Sequence, residues 1–334
     1  MPEQLPPRAP AEADADPGQL ALLLRGAGLI ETGLRGALAV TGAEHKPWLD
    51  RILSNPVKEL PPKRAVSATL MDGKGRLRAD VTVLSVGVQG GMLLDIPASH
   101  RDGLLRLLDM YILRDKVVLT DLGSSHRWVS LIGPAAQEVL AASGTRWPAP
   151  GEALSSDHVV AATLSRRFGL PAVDLLVPAD GVAAVRERLR AAGAEPVDLP
   201  AVHLLRVVAG VPWFASDLTD NVIPLEAGLD SHVSITKGCY PGQEVVARIS
   251  NLGQVARKLL RLSAPGRHDL VPGEPLHGTG EAHDKEAGKL TSVAHDPRED
   301  RMVALGFLRR AWWKPGTLVR AGKVELTVGE PTAA

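Results

Sequence analysis

The order of strand-like and helix-like segments constrains this chain most. Residues 37–40 alternate as a strand, the turn Thr41-Gly42-Ala43-Glu44 leads into a helix through Trp48, Leu49, Ile52 and Leu53, and a meander follows. Its strands are expected at 65–71, 77–88 and 91–96, with Asp72-Gly73-Lys74-Gly75 as the first turn. A helix over 97–111 buries Leu104, Leu105, Leu107 and Leu108, and a strand over 116–120 closes the group. A second strand–helix–strand–strand–helix group echoes it: a strand at 128–132, a helix from Gly133-Pro134 to 142, strands at 159–164 and 172–177, and a helix to 192 capped by Asp180. A helix over 199–208 follows. Past residue 255 only strands are expected, at 259–262, 288–293, 303–308, 317–320 and 324–328, separated by Gly and Pro turns. The fold class is α+β: two related α+β subdomains followed by a small C-terminal β-barrel. The expected divisions are a disordered, Pro- and acid-rich tail over 1–17, a two-subdomain region over 18–254 that opens with a short helix within 18–30, and a barrel over 255–330.

Charge and cysteine usage narrow the function. Lys+Arg 38 balances Asp+Glu 38, so no global field draws the chain to nucleic acid or an anionic membrane. Aromatics are 3% of residues, which leaves the cores to Leu, Val and Ala. A single cysteine excludes an intrachain disulfide and any multi-cysteine zinc or iron–sulfur site built from this chain alone. The apolar stretch 20–30 is broken by Arg25 and two glycines and is too short to span a bilayer, and no signal peptide is evident, so a cytoplasmic protein without membrane contact is expected. His277 and His283 lie six apart with no HxxxH or HxH pair, so no metal site is expected. There is no GxSxG elbow and no P-loop.

The lone cysteine sits in Lys237-Gly238-Cys239-Tyr240-Pro241-Gly242-Gln243-Glu244-Val245-Val246-Ala247-Arg248. Glycines and a proline around it indicate a turn, with positive φ expected at Gly238 and Gly242. Lys237 two residues before, and a helix start just after, are both features that favour a thiolate. The bland alternative is a small buried hydrophobe. Gln243 could hold the loop backbone, and Glu244 with Arg248, four apart, could form an ordinary ion pair on a helix. The candidate catalytic set is therefore Cys239 with Lys237, Gln243, Glu244 and Arg248.

This run, Lys-Gly-Cys-Tyr-x-Gly-Gln-Glu followed by Val-x-Ala-Arg, resembles the motif of the YgfZ-type proteins. These are folate-binding relatives of the glycine-cleavage T-protein (aminomethyltransferase), implicated in iron–sulfur cluster assembly or repair. The opening strand, turn and Leu-rich helix are similar to the same superfamily, with Asn55-Pro56 where the family has Asn-Asp. So are the run from Tyr111 through Arg114 to Val117, the Arg-x-x-Ala-Gly-x-Pro stretch from Arg206, the Ile-Pro-x-Glu-Ala-Gly-Leu stretch from Ile223, and Gly306 to Arg310. The resemblance implies tetrahydrofolate or another folate held between domains, with Tyr111, Arg114, Arg206, Trp213, Glu226 and Tyr240 as candidate contacts. It implies iron–sulfur client or assembly proteins as partners. It also implies indirect support of tRNA modification, because many tRNA thiolation enzymes depend on clusters. Arg35 and Val202 stand near positions where YgfZ members often carry tryptophan, and Val208 stands where T-protein has a glutamate. The expected function is thus a folate-dependent accessory factor and not an obvious stand-alone catalyst. The alternatives are an aminomethyltransferase-like one-carbon transferase and a tRNA-binding module built on Arg309, Arg310, Trp312, Trp313 and Lys314. For that last cluster a barrel rim with aromatic packing is the commoner explanation, and no direct nucleic-acid partner is expected.

Overall fold

A computed structural model describes residues 14–253, 255–280 and 285–331. Residues 1–13 of the tail expected over 1–17, and His283, lie outside the described residues, while 14–17 depart from that expectation: Ala15 is buried, Asp16 caps a helix and Pro17 begins it. The chain enters through α1 (Pro17–Arg25), whose first turn is capped by the Asp16 carboxylate accepting from the Gln19 N–H. The helix expected within 18–30 stops at Gly26, and β1 (Gly28–Ile30) follows. A Cβ at Gly28 would lie 2.6 Å from a Leu23 methyl, so a larger residue there would push the Leu23 side chain aside.

The first sheet group comprises β2 (Arg35–Thr41), α2 (His45–Ile52), β3 (Ala65–Met71), β4 (Leu77–Leu84), β5 (Met92–Pro97), α3 (Arg101–Met110) and β6 (Val118–Asp121). The second comprises β7 (His126–Ile132), α4 (Ala136–Ala142), β8 (Ala153–Ser156), β9 (Val159–Leu164), β10 (Ala172–Pro178), α5 (Val182–Ala191) and β11 (Glu195–Pro196). The sheets run β3-β4-β5-β2-β6 and β8-β9-β10-β7-β1-β11. The second repeats the order of the first with β1 inserted beside β7. That echo is the two related α+β units read from the segment order.

Alternation along the strands sets how the sheets stack. In β2, Ala37 and Ala39 face the other sheet, while Leu38 and Val40 face α2 and α3. The inter-sheet layer combines alanines 37, 39, 153 and 161 with Leu84, Leu93, Leu122 and Leu176, and Trp128 donates its indole N–H to the Gly36 carbonyl at 3.0 Å. Helices α2 and α3 cover one outer face and α4 and α5 the other. Several boundaries differ from expectation. β4 ends at Leu84, because Gly87 turns the chain through φ +72°. The helix over 97–111 splits into a 3-10 turn, Ala98–His100, and α3. α5 is preceded by Gly181 with no side-chain cap, so Asp180 does not cap it.

Helix α6 (Leu199–Ala209) is buried over most of its length, packed against α1 and the outer face of the C-terminal barrel. α7 (Gln243–Leu252) leads into that barrel. It closes through β12 (Arg257–Pro265), β13 (Pro275–Gly278), β14 (Glu286–Asp296), β15 (Arg301–Arg309), β16 (Leu318–Ala321) and β17 (Val324–Pro331). β13 was not expected: Pro275-Leu276-His277-Gly278 carries one large apolar residue and no alternation, and its place is fixed by backbone pairing to β14 and β16. Among the described residues no helix is long and apolar enough to cross a membrane.

Candidate functional site

Cys239 is exposed on the loop between η-turn residues 230–232 and α7. The other polar groups of that loop are committed to holding it. Lys237 places its buried ammonium at the C-terminus of α2, donating to Asp50 O and to the C-cap Leu53 O at 2.8 Å, and to Asn55 O at 3.3 Å just beyond the helix. Burial pushes this amine below the ordinary lysine range, and the Asp50 carboxylate 3.6 Å away opposes that shift. The expected thiolate-stabilising cation is therefore a helix-capping clamp. Tyr240 is buried against Met71 and Val246 and donates its hydroxyl to Ser234 O at 2.6 Å, so it is a post under the loop and not an open ligand face. Gln243 donates its side-chain amide to Lys237 O at 3.1 Å, in keeping with a loop-bracing part.

A second set of bonds fastens the preceding segment to the α2–β3 connection. Ser54 donates to His232 O at 2.6 Å, and the Asn55 amide reaches Ser67 O at 2.6 Å and Ser231 O at 2.9 Å. Glu244 and Arg248 both project from α7 into solvent, and among the described residues no ion pair joins them. Of the two glycines only Gly242 has positive φ, +82°. Gly238 stands in open space. The outcome is one unengaged, solvent-facing thiol on a braced platform.

The candidate folate contacts do not converge. Arg206 is fully buried: it pairs with Asp217, donates to Ser292 Oγ at 2.6 Å and Val211 O at 3.1 Å, and stacks over Trp213 at 4.7 Å. Trp213 is itself buried and donates its indole N–H to Arg167 O at 2.8 Å. Glu226 is buried and accepts from Ile223 N at 3.2 Å and from Arg257 Nε at 3.0 Å, which ties the 224–227 turn to β12. These three are joints between the α+β units and the barrel. Tyr111 ends α3 and accepts the Trp48 indole N–H on its carbonyl at 3.1 Å, while Arg114 is exposed beside it. Arg206 keeps only its Nε without an acceptor, and Arg206, Trp213, Glu226 and Tyr240 are all buried in these joints and the loop seat, so this set does not fit a folate pocket as it stands.

Val202 and Val208 belong to α6, Val202 in its buried face. Arg35 has every guanidinium nitrogen engaged: Nε donates to Asp95 at 2.8 Å, Nη1 to Asp80 at 2.9 Å, and Nη2 to the carbonyls of Asp80 and Asp95. Asp95 also accepts from Arg167 at 2.6 Å, and Arg167 reaches Asp174, which holds Ser130 at 2.6 Å. Two arginines and three aspartates thus stitch the first sheet to the second. Of these, sequence reasoning marked Arg35 alone. The available signal was a carboxylate inside an apolar strand, Leu93-Leu94-Asp95-Ile96 and Val173-Asp174-Leu175, since charged residues are seldom buried unless paired. On the barrel rim, Trp313 donates to Leu308 O at 2.7 Å and lies under Lys258, Trp312 packs on the barrel core and Arg309 pairs with Glu286 at 2.8 Å, while Arg310 and Lys314 are exposed.

His203 reports on the α6–barrel joint. Its Nδ1 accepts from Arg206 at 3.2 Å, so Nε2 carries the proton and donates to Val293 O at 3.1 Å. Burial, reinforced by the Arg206 charge, pushes its pKa down from 6.5 to about 4. The folded state holds the ring neutral, while the unfolded chain takes up a proton below pH 6.5. Stability from this group is therefore full above pH 6.5 and is lost as pH falls towards 4. Up to about 3 kcal/mol should disappear over that window. Urea unfolding of wild type and His203→Gln at a series of pH values tests this. The variant should show a shallower acid slope, and parallel slopes would rule the assignment out.

Comparison with known proteins agrees with this architecture. Residues 14–164 match the family model GCVT N-terminal domain. The aminomethyltransferase of Rippkaea orientalis is 25% identical over 307 residues, covering 87% of this chain and 80% of that protein. The iron-sulfur cluster assembly factor IBA57 homolog of Mycosarcoma maydis, a mitochondrial protein, is 30% identical over 304 residues, covering 78% of this chain and 70% of that protein. The crystal structure of the glycine cleavage system aminomethyltransferase T from Bartonella henselae superposes with a TM-score of 0.82 at 21% identity, covering 94% of this chain and 88% of the other. With its paired sheets, closed six-strand barrel and these relatives, the chain belongs to the glycine-cleavage T-protein (aminomethyltransferase) superfamily.

Proposed function

We propose that this protein is a YgfZ-type accessory factor for the assembly or repair of iron–sulfur proteins, working in the cytoplasm with tetrahydrofolate or another folate and presenting Cys239 to a cluster, a sulfur species or a partner protein. Its effect on tRNA modification is indirect, through cluster-dependent enzymes. The observation that carries the reading is the contrast at the motif: Lys237, Tyr240 and Gln243 are all used to brace the loop, and the thiol is the one nucleophile left facing solvent, beside the exposed Glu244 and Arg248. The likeness to an iron–sulfur assembly factor over 70% of its length supports the same direction. Folate rests on the superfamily alone.

Cys239→Ser tests the proposal. The side chain is exposed and unpaired, so the variant should unfold within about 0.5 kcal/mol of wild type. In cells lacking the native protein it should fail to restore the activity of cluster-containing enzymes. Full restoration would remove the thiol from the function. Titration with tetrahydrofolate followed by calorimetry tests the folate element separately. The relatives named aminomethyltransferase favour a second reading, one-carbon transfer to tetrahydrofolate. Formaldehyde transfer from an aminomethyl carrier would support it, and a flat assay would eliminate it.

A further inference from the structure

Where α6 ends against the barrel lies an open cleft of about 230 Å³ that neither Cys239 nor its loop lines. Its floor is apolar, made by Val207 and Val208 of α6 with Val303 of β15. Two guanidinium groups, Arg261 of β12 and Arg301 of β15, line it beside the Ser263 hydroxyl. Both arginines have donors to spare. Arg261 makes only long bonds, Nε to Glu330 O at 3.2 Å and Nη1 to Val208 O at 3.4 Å. Arg301 Nε is paired with a Glu299 carboxylate oxygen at 2.8 Å, and among the described residues its two Nη groups have no acceptor. Guanidinium Nη groups without an acceptor are open to a ligand that supplies one.

We propose that this cleft binds a small carboxylate with a short aliphatic body, its head between Arg261 and Arg301 and its chain on the valines. Planar guanidinium groups suit a carboxylate better than any neutral head. At about 30 Å³ per water-sized group, the volume holds roughly seven or eight heavy atoms, the size of a six-carbon acid. Two carboxylates work against the anion: Glu299, paired with Arg301, and Glu330, an exposed residue of the lining. Removing the Glu330 carboxylate should therefore strengthen binding. Gly329 gates the same space. A Cβ there would make ordinary contacts of 3.5 Å with Arg261, so a larger side chain fits the strand and fills the cleft.

The test is saturation-transfer NMR on the full chain with hexanoate and with neutral hexanamide as probes. Hexanoate should give saturable transfer and hexanamide should bind at least about tenfold more weakly. Arg301→Gln should raise the half-saturating hexanoate concentration about tenfold, and Glu330→Gln should lower it by roughly threefold. Gly329→Val should abolish transfer with both guanidinium groups still in place. Glu330 is exposed, so its variant keeps the reading open even if a substitution at 301 or 329 impairs folding, and thermal midpoints identify such cases. Equal binding of the acid and the amide, or a Glu330→Gln variant that weakens hexanoate, would overturn the proposal.

Discussion

Asp217→Ala is expected to lower the unfolding free energy by about 3–5 kcal/mol, the range for removing one partner of a buried ion pair. Both side chains of the Arg206–Asp217 pair are 0% exposed. The carboxylate accepts from four groups: Arg206 and the Trp213 N–H on one oxygen, and Thr291 Oγ and Ser292 Oγ, each at 2.6 Å, on the other. Without it, a guanidinium remains in a site that already pulls its pKa down through burial, with no other ion pair to it among the described residues. Thr291 and Ser292 belong to β14, so the substitution also releases the barrel from the loop after α6. Urea unfolding should show a shifted midpoint, and a changed slope would mean that the barrel melts apart from the paired sheets. The double variant Arg206→Met, Asp217→Leu should recover most of the loss, because an apolar pair of similar size often replaces a buried ion pair without penalty. A single-variant loss below about 1 kcal/mol would mean that water reaches the joint and that the pair is an ordinary surface bridge.

The same joint shows what the sequence discloses and what it hides. The segments that form sheets and helices were legible because each carries its own period: Ala37-Leu38-Ala39-Val40 alternates, and Trp48, Leu49 and Ile52 fall on one helical face. The strands that escaped, β1, β8, β11 and β13, are two to four residues long and are defined by their partners' backbones. The cysteine loop was legible as a distinctive turn, yet the direction of its side chains was not. Lys237 pointed to thiol chemistry by its proximity in sequence, while its nearest acceptors are carbonyls of residues 50, 53 and 55, far away along the chain. Arg206, Trp213 and Glu226 stand out as polar or aromatic residues in distinctive segments. Such segments recur at domain joints as readily as in ligand pockets, and only the three-dimensional partners Ser292, Arg167 and Arg257 separate the two. Arg35 is the same lesson in reverse. Its place invites a comparison with an aromatic ligand wall, and Asp80 and Asp95 make it half of an inter-sheet clamp.

Gly242→Ala should be far more damaging than Gly238→Ala, although both glycines flank the same thiol. At Gly242 the backbone has φ +82°, where a Cβ costs about 1–2 kcal/mol by itself. That Cβ would also lie 2.7 Å from Gly75 Cα and 2.8 Å from Asp72 O, both backbone atoms of the β3–β4 turn that cannot swing aside. Relief requires moving the turn or lifting the start of α7, so a total of about 3 kcal/mol is expected. Gly238 has no positive φ, and a methyl added there would meet nothing within 4 Å, so its substitution should stay within about 0.5 kcal/mol. The functional consequence separates presentation from chemistry. Gly242→Ala keeps the thiol but unseats the platform that displays it, and should lose most support for cluster-containing enzymes in cells, as Cys239→Ser does. Gly238→Ala should work as wild type. Were the two glycine variants to restore cells equally, with the expected gap in their thermal midpoints, the thiol would not need its rigid seat on the hairpin. Cys239 would then act from a loop that its partner reshapes, and the bracing by Lys237, Tyr240 and Gln243 would serve folding alone.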